Sequence, residues 1–304
     1  MLTFLFWNMG GEGKKRTPTE IAEQYGRETR LLGVLRNLAE ARAVDLVMLA
    51  ECPVEAGRVL SELNRETTRP RGEQFREADP DSQCEKVLIF PRFPSRALLR
   101  RAEEARFTGR LLKLPDGRPD LLLFAVHFGS KLHKSDASQT LAAPGFSRTV
   151  RAVEAKLKHD RTLVVGDFNM NPFEDGIVGA EGLNATMSRR VAEKKERTVD
   201  GAKYPFFYNP MWSFFGDSTH AEHPPTSANH EPPGTCYFPA GESRWHYWNI
   251  FDQVLLRPSL LPCFNNKDLQ VVTGDGTTRL IDSDGLPEST LLSDHLPIVF
   301  RLNV

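Results

Sequence analysis

The feature that most constrains this chain is a series of short, continuous apolar runs, each ended or preceded by one polar residue. LTFLFWN stops at Asn8, DLVMLAE at Glu51, LLLFAVH at His127, and TLVVGDFN at Asp167 and Asn169. FDQVLL begins at Asp252, and LPIVFRLNV follows the pair Asp294–His295. Apolar runs of this length without strict alternation read as strands covered on both faces. EKVLIFP and GRLLKL add two more. Helical patterns separate them. Residues of about 20–42 carry Leu31, Leu35 and Leu38 on one face, 53–65 carry Ala56, Leu60 and Leu63, and 146–158 carry Phe146, Val150, Val153 and Leu157. Strands alternating with helices imply α/β layers. There are too few helices for a barrel of eight strand–helix units. The expected architecture is therefore α/β, with sheets packed on each other and flanked by helices.

In open α/β sheets, reactive groups collect at the carboxyl ends of strands. Asn8, Glu51, His127, Asp167 and Asn169 obey this rule. Asp252, Asp294 and His295 precede their strands, but an antiparallel strand brings its first residues to the same edge. All eight can thus converge although they span positions 8 to 295. No repeat or Ser/Gly linker divides the chain, so one catalytic domain over residues 1–304 is expected.

Composition excludes several classes. Counting the 22 glycines, about 47% of the 304 residues are apolar, as in ordinary globular domains. Lys and Arg total 39 against 40 Asp and Glu, so global charge does not mark a polyanion binder. No window is long and apolar enough for a membrane span. The apolar start MLTFLFWNM lacks a basic region before it and a small-residue cleavage site after it. Cys52, Cys84, Cys236 and Cys263 suit neither a zinc knuckle nor a disulfide framework, which points to free thiols in a reducing cytoplasm. No phosphate-binding GxxxxGK[ST] loop occurs.

The residue types converging at this edge are chemically coherent. Asn8, Glu51 and Asp294 offer hard oxygen ligands suited to Mg²⁺ or Mn²⁺. Asp167 and Asn169, two apart on an extended turn, face the same way. One could orient a water and the other donate to a phosphate oxygen. Asp252 can hold the His295 ring, fix its tautomer and favour its charged form.

The strings FWNMGG, VMLAEC, AVHFGSK, VVGDFNMNP, FDQVLL and LSDHLPI, in this order, resemble the successive motifs of the endonuclease/exonuclease/phosphatase superfamily, the deoxyribonuclease I-like proteins. The resemblance runs from residue 4 to residue 300. It implies a four-layer α/β sandwich with two central mixed β-sheets and divalent-metal hydrolysis of phosphoesters. It implies that Asn8, Glu51 and Asp294 form the metal site, with Glu51 the principal ligand. Asp167 would activate or orient the attacking water and Asn169 would hold the scissile phosphate. His295, paired with Asp252, would stabilise the transition state or transfer a proton. His127 stands where deoxyribonuclease I-like enzymes and many phosphatases of the family carry His. Ala50 stands where many relatives have Gln, and Gly10 where abasic-site endonucleases often have Asp. With His127, these departures argue against an abasic-site repair enzyme.

Several segments carry a second layer of expectation. Lys14, Lys15 and Arg16, and Lys131, His133 and Lys134, leave strand ends near the proposed site, where they could contact a phosphate backbone. His220, Glu222, His223, His230 and Glu231 have metal-like spacing but read as a solvated loop. SRRVAEKKER (188–197) reads as an exposed helix face. Residues 200–251 hold 13 of the 28 aromatics, Trp212 among them, with little periodicity. Such a stretch is either a loop packed by its own side chains or a surface that recognises substrate. Together these observations imply a Mg²⁺- or Mn²⁺-dependent phosphodiesterase, foremost a nuclease cutting DNA or RNA, with aromatic residues stacking on unpaired bases. The alternatives are a phosphatase or phosphodiesterase acting on a small phosphorylated substrate, and a binding module without activity.

Overall fold

The structure, a computed structural model, describes residues 1–11, 17–65, 67–130, 136–216, 232–239 and 246–304. Its strands are β1 (Leu2–Asn8), β2 (Leu46–Ala50), β3 (Val87–Pro91), β4 (Leu98–Glu104), β5 (Phe107–Leu112), β6 (Leu121–His127), β7 (Thr162–Asp167), β8 (Ala185–Thr186), β9 (Glu196–Val199), β10 (Ala202–Pro205), β11 (Phe207–Tyr208), β12 (Cys236–Tyr237), β13 (Trp248–Asn249), β14 (Asp252–Leu256), β15 (Gln270–Val271) and β16 (Ile298–Leu302). The α-helices are α1 (Pro18–Ala41), α2 (Ala56–Leu63), α3 (Asp136–Leu157) and the single turns α4 (Asp175–Val178) and α5 (Arg189–Ala192). Two mixed sheets form the centre. One has five strands in the order β15-β16-β1-β2-β3, and the other seven in the order β4-β5-β6-β7-β14-β11-β8. The pairs β1–β2 and β6–β7 are parallel, whereas β16, β3, β5 and β14 run antiparallel to their neighbours.

The alternation of side chains across each strand builds three apolar layers. Phe4, Phe6, Met48 and Phe300 of the smaller sheet meet Leu121, Leu123, Val165 and Val254 of the larger one. Phe4 and Phe300 are cross-strand partners, and their rings stack with centroids 4.9 Å apart. On the outer face of the smaller sheet, Leu5, Trp7, Val47 and Leu49 pack under Leu31, Leu35 and Leu38 of α1 and Val59 and Leu63 of α2. On the outer face of the larger sheet, Leu122, Phe124, Val126 and Val164 pack under Phe146, Val150 and Val153 of α3. The result is the expected four-layer α/β sandwich. Burial on both faces explains why the strands read as unbroken apolar runs.

Local chemistry sets the helix boundaries. Thr17 caps α1 through a reciprocal box with Glu20, and Pro18 occupies the first turn, where its missing N–H costs nothing. The helix expected at 146–158 instead begins at Asp136, because Pro144 lies inside it and obscured the pattern. SRRVAEKKER does not form one helical face. It divides into α5, one turn capped by Ser188, and β9, which pairs with β10. Strand β4, charged and at a sheet edge, also lacked an apolar signature. No described helix is long and apolar enough to cross a membrane.

Gly166 fixes the spacing that matters most for the site. A Cβ there would lie 2.0 Å from the Val126 carbonyl oxygen, so only glycine lets β7 approach β6 this closely. Removing the stacked ring at Phe300 should test the central layer. Phe300→Ala is expected to lower unfolding stability by about 3–5 kcal/mol, read as a shifted urea midpoint with an unchanged slope.

Candidate active site

Strand register assembles the reactive edge. His127 is the cross-strand partner of Asp167, and Asp167 is the partner of Asp252, so β6, β7 and β14 present three polar side chains at one level. In the facing sheet, Asn8 pairs with Ala50, and Glu51 follows immediately. The Asn8 amide donates across the sandwich to Asp167 Oδ2 at 2.8 Å, joining the two sheets at this edge. The backbone N–H of Gly10 donates to Asn8 Oδ1 at 2.9 Å and fixes which way that amide faces.

Asp167 is fully buried and densely bonded. Its Oδ1 accepts from the Asn169 N–H at 2.7 Å, and its Oδ2 accepts from the Asn169 side chain at 3.0 Å. Asn169 has a positive φ of 50°, so the expected extended turn is in fact a tight one, closed by the Asp167 carboxylate. The Asn169 amide also donates to the Phe128 carbonyl at 3.1 Å. Both of its N–H groups thus have protein acceptors, and holding a phosphate would require exchanging one of them. Burial pushes the Asp167 carboxyl up to about 7, and the Asp252 charge adds to this. The His295 charge and the bonds from Asn169 and Asn8 pull the other way.

Glu51 sits at φ 45° and turns its side chain back across the edge, Oε1 lying 3.3 Å from His127 Nε2. His127 Nε2 also lies 3.6 Å from Asp167 Oδ2. Burial lowers the His127 pKa to about 3, helped by the charges of Arg106, His295 and Lys86, so the ring is neutral near pH 7. Its Nδ1 is buried and without a hydrogen-bond partner among the described residues. A cleft of about 530 Å³ opens over Glu51, lined also by Gly10, Gly11, Cys52, Pro53, Glu85 and Lys86.

His295 and Asp252 form the second half of the site. His295 Nδ1 is 2.8 Å from Asp252 Oδ2. Burial opposes a charge on this ring, but Asp252 outweighs it and raises the His295 pKa well above the usual value. The Trp7 indole donates to the His295 carbonyl at 3.0 Å, and Ser293 bridges the Asn8 carbonyl and the His295 N–H. The Thr235 hydroxyl accepts from the Asp252 N–H at 3.2 Å. Cys236 lies beside His295 across an antiparallel bridge, and burial pushes its thiol up to about 11.

The donor set suits a hard divalent cation. Asp167, Asp252 and His295 have ligand atoms within 4.8 Å of one another, and Asp252 Oδ1 is buried with no partner among the described residues. Glu51, with 37% side-chain exposure, is open to the cleft. Its Oε2 would lie 3.3 Å from a Cβ at Gly11, and Asp294 Oδ1 would lie 3.2 Å from one at Gly10. Each glycine thus lies against one of these carboxylates, where a side chain would crowd it. Oxygen donors with an unsatisfied carboxylate are what Mg²⁺ or Mn²⁺ requires.

Arg27 contributes without having been legible in the sequence. From α1 its guanidinium donates to the carbonyls of Met9, Gly11 and Leu292 at 2.7, 3.0 and 2.6 Å, tying the loops that carry Asn8 and Asp294. Of the other expectations, Lys14, Lys15, Arg16, Lys131, His133 and Lys134 lie outside the described residues, as do His220, Glu222, His223, His230 and Glu231. The described part of the aromatic stretch divides into three groups, one of them Tyr237 packed on Tyr247 and Trp248. Phe206, Phe207 and Tyr208 are buried in the core, whereas Trp212 joins Phe173, Phe215 and His246 in a partly exposed cluster. The Trp212 indole N–H has no partner among the described residues.

The chain matches no protein-family model and no curated protein. Solved structures do match along nearly its whole length. An endonuclease/exonuclease/phosphatase family protein from Bacteroides thetaiotaomicron is 12% identical with a TM-score of 0.54, over 99% of this chain and 97% of that one. The human Nocturnin catalytic domain is 14% identical with a TM-score of 0.52, over 99% and 93%. A TDP2 from D. rerio, complexed with a single-strand DNA product, is 16% identical with a TM-score of 0.51, over 100% and 99%. The fold is therefore the deoxyribonuclease I-like fold of endonuclease/exonuclease/phosphatase proteins.

The two shifted groups make a linked prediction. Asp167, raised above its unfolded value of about 3.9, makes stability fall as pH rises toward about 7. His127, lowered from about 6.5 to about 3, makes stability rise over that range. In EDTA the two contributions therefore oppose each other between about pH 4 and 6. Asp167→Asn should expose the His127 contribution as a rise of up to about 1.4 kcal/mol per pH unit in urea titrations.

Proposed function

We propose that this chain is a divalent-cation-dependent phosphoester hydrolase whose principal substrates are nucleic acid phosphodiesters. The observation that carries this reading is the shared level of His127, Asp167 and Asp252, bridged to the other sheet by Asn8. It takes residues 1–304 as one catalytic domain, because the site draws on Asn8 and His295 alike. The four free thiols fit a reducing compartment such as the cytoplasm.

Asn8, Glu51 and Asp294 would hold Mg²⁺ or Mn²⁺, which when bound supplies positive charge to the phosphate and the leaving oxygen. Asp167 orients the attacking water with a carboxylate whose raised pKa lets it take a proton near neutral pH. Asn169 and Asn8 hold that carboxylate in place. Asp252 keeps His295 charged, so the imidazolium can offset charge developing on the phosphate or donate a proton. Neutral His127 places Nε2 between the two carboxylates, 3.3 Å from Glu51 Oε1 and 3.6 Å from Asp167 Oδ2.

The cluster of Phe173, Trp212, Phe215 and His246 supports an unpaired strand as substrate. Phe173, Phe215 and His246 are exposed and Trp212 is half-buried beside them; exposed rings stack on bases of any sequence, whereas a duplex hides those faces. The cleft of about 530 Å³ supports a second reading, a small phosphorylated substrate, since its volume falls in the range of small-molecule sites. A mannosyl-6-phosphatase from Bacteroides thetaiotaomicron with this fold, 12% identical with a TM-score of 0.54 over 99% of each chain, is consistent with that alternative.

Purified protein incubated with single-stranded DNA, duplex DNA, RNA, nucleotides and sugar phosphates should cleave a nucleic acid in Mg²⁺ or Mn²⁺ and nothing in EDTA. Hydrolysis confined to the small esters would establish the second reading. Glu51→Gln and His295→Ala should each lower kcat at least about 10²-fold. Trp212→Ala should raise KM for single-stranded DNA while leaving kcat within about threefold, because lost stacking of about 1–3 kcal/mol weakens binding.

A further inference from the structure

The catalytic edge has a feature that phosphoester hydrolysis does not require. Cys236, Asp294 and His295 each direct a ligand atom into one space, and these atoms lie within 4.8 Å of one another. The backbone makes this arrangement specific. Cys236 is the bridge partner of His295, the Leu296 N–H donates to the Thr235 carbonyl at 2.7 Å, and the Tyr237 N–H donates to the Asp294 carbonyl at 3.3 Å. Strand β12 and the segment 294–296 are thus tied together with the thiol against the imidazole, and the two side chains hydrogen-bond.

We propose that Cys236, Asp294 and His295 form an inhibitory binding site for a soft divalent cation of the zinc class, separate in its chemistry from the oxygen site for Mg²⁺ or Mn²⁺. Sulfur, imidazole and one carboxylate make a zinc-type set with a fourth position open, and Mg²⁺ does not compete for thiolate. Asp252 already holds His295 Nδ1 at 2.8 Å, which leaves Nε2 as the coordinating nitrogen. A carboxylate behind the ring is how metal-binding histidines are oriented. On binding, the sulfur–hydrogen bond is replaced by a sulfur–metal bond and the thiol proton leaves to solvent. Any proton on His295 Nε2 leaves likewise, and no electron is transferred.

The inhibitory consequence rests on the hydrolase reading given above. A cation held here removes His295 from the reaction and draws Asp294 from the oxygen site. Binding itself does not depend on that reading, so the two can be tested apart. Cd²⁺, which gives a thiolate charge-transfer absorption, is titrated into the full-length wild type and into Cys236→Ser, with Cys52→Ser as control, because Cys52 borders the Glu51 cleft. The wild type and Cys52→Ser should show the absorption, and Cys236→Ser should lose it. Where hydrolysis is measurable, Zn²⁺ in excess Mg²⁺ should inhibit the wild type, and Cys236→Ser should need at least about 10-fold more Zn²⁺. Zinc-edge X-ray absorption of the loaded wild type, which needs no variant to fold, should give one sulfur neighbour at about 2.3 Å. A zinc shell without sulfur, or absorption and inhibition that follow Cys52 and persist in Cys236→Ser, would overturn the proposal. If no substrate is hydrolysed, the hydrolase reading fails, while the absorption and the sulfur shell still decide the cation site.

Discussion

The hydrogen bond from Asn8 to Asp167 is the constraint on which the reactive edge depends. Asn8 ends a strand of one sheet and Asp167 a strand of the other, and the apolar layer between the sheets sets how far apart these ends lie. One residue before Asp167, β7 approaches β6 closely over Gly166, where any side chain would meet the Val126 carbonyl. Packing of Phe4, Phe300 and their neighbours thus acts at a distance on the chemistry. A core that relaxed would loosen the Asn8–Asp167 bond, while Asn169 keeps its own bonds to Asp167 and the Phe128 carbonyl.

The site is electrostatically uneasy by design. Glu51, Asp167, Asp252 and Asp294 come together where water is largely excluded from Asp167 and Asp252. The chain moderates this by holding one carboxyl near its titration point, keeping His127 neutral and charging His295. Burying like charges costs stability unless something offsets it. A cation of charge +2 would offset it directly, which is the physical basis of the proposed metal site.

Much of the fold was legible because its central strands are buried on both faces. The runs ending at Asn8, Glu51, His127 and Asp167 stood out as apolar blocks with polar terminators, and the structure brings those terminators to one edge. What escaped notice was whatever lacked that double burial. Edge strand β4 is charged, β8 and β11 are two residues long, and the first turns of α3 are hidden by Pro144. Arg27 and Thr235 were equally invisible, since each acts through backbone groups far away in sequence and no local pattern marks them. The tight turn at Asn169 escaped because Asn adopts both extended and left-handed backbone, and here the bond to the Asp167 carboxylate selects the left-handed one.

The pairing of β1 with β16 has a temporal consequence. These strands are neighbours in the sheet yet stand near opposite ends of the sequence, and β16 follows His295 by only two residues. A ribosome releases Asn8, Glu51 and Asp167 long before it makes their partners. Until Asp294, His295 and β16 emerge, β1 lacks one flank and the reactive edge lacks its imidazolium. Joining such distant segments is also among the slower steps open to a folding chain. A copy that stops before Asp294 therefore lacks β16 as well as Asp294 and His295, and cannot carry the assembled edge.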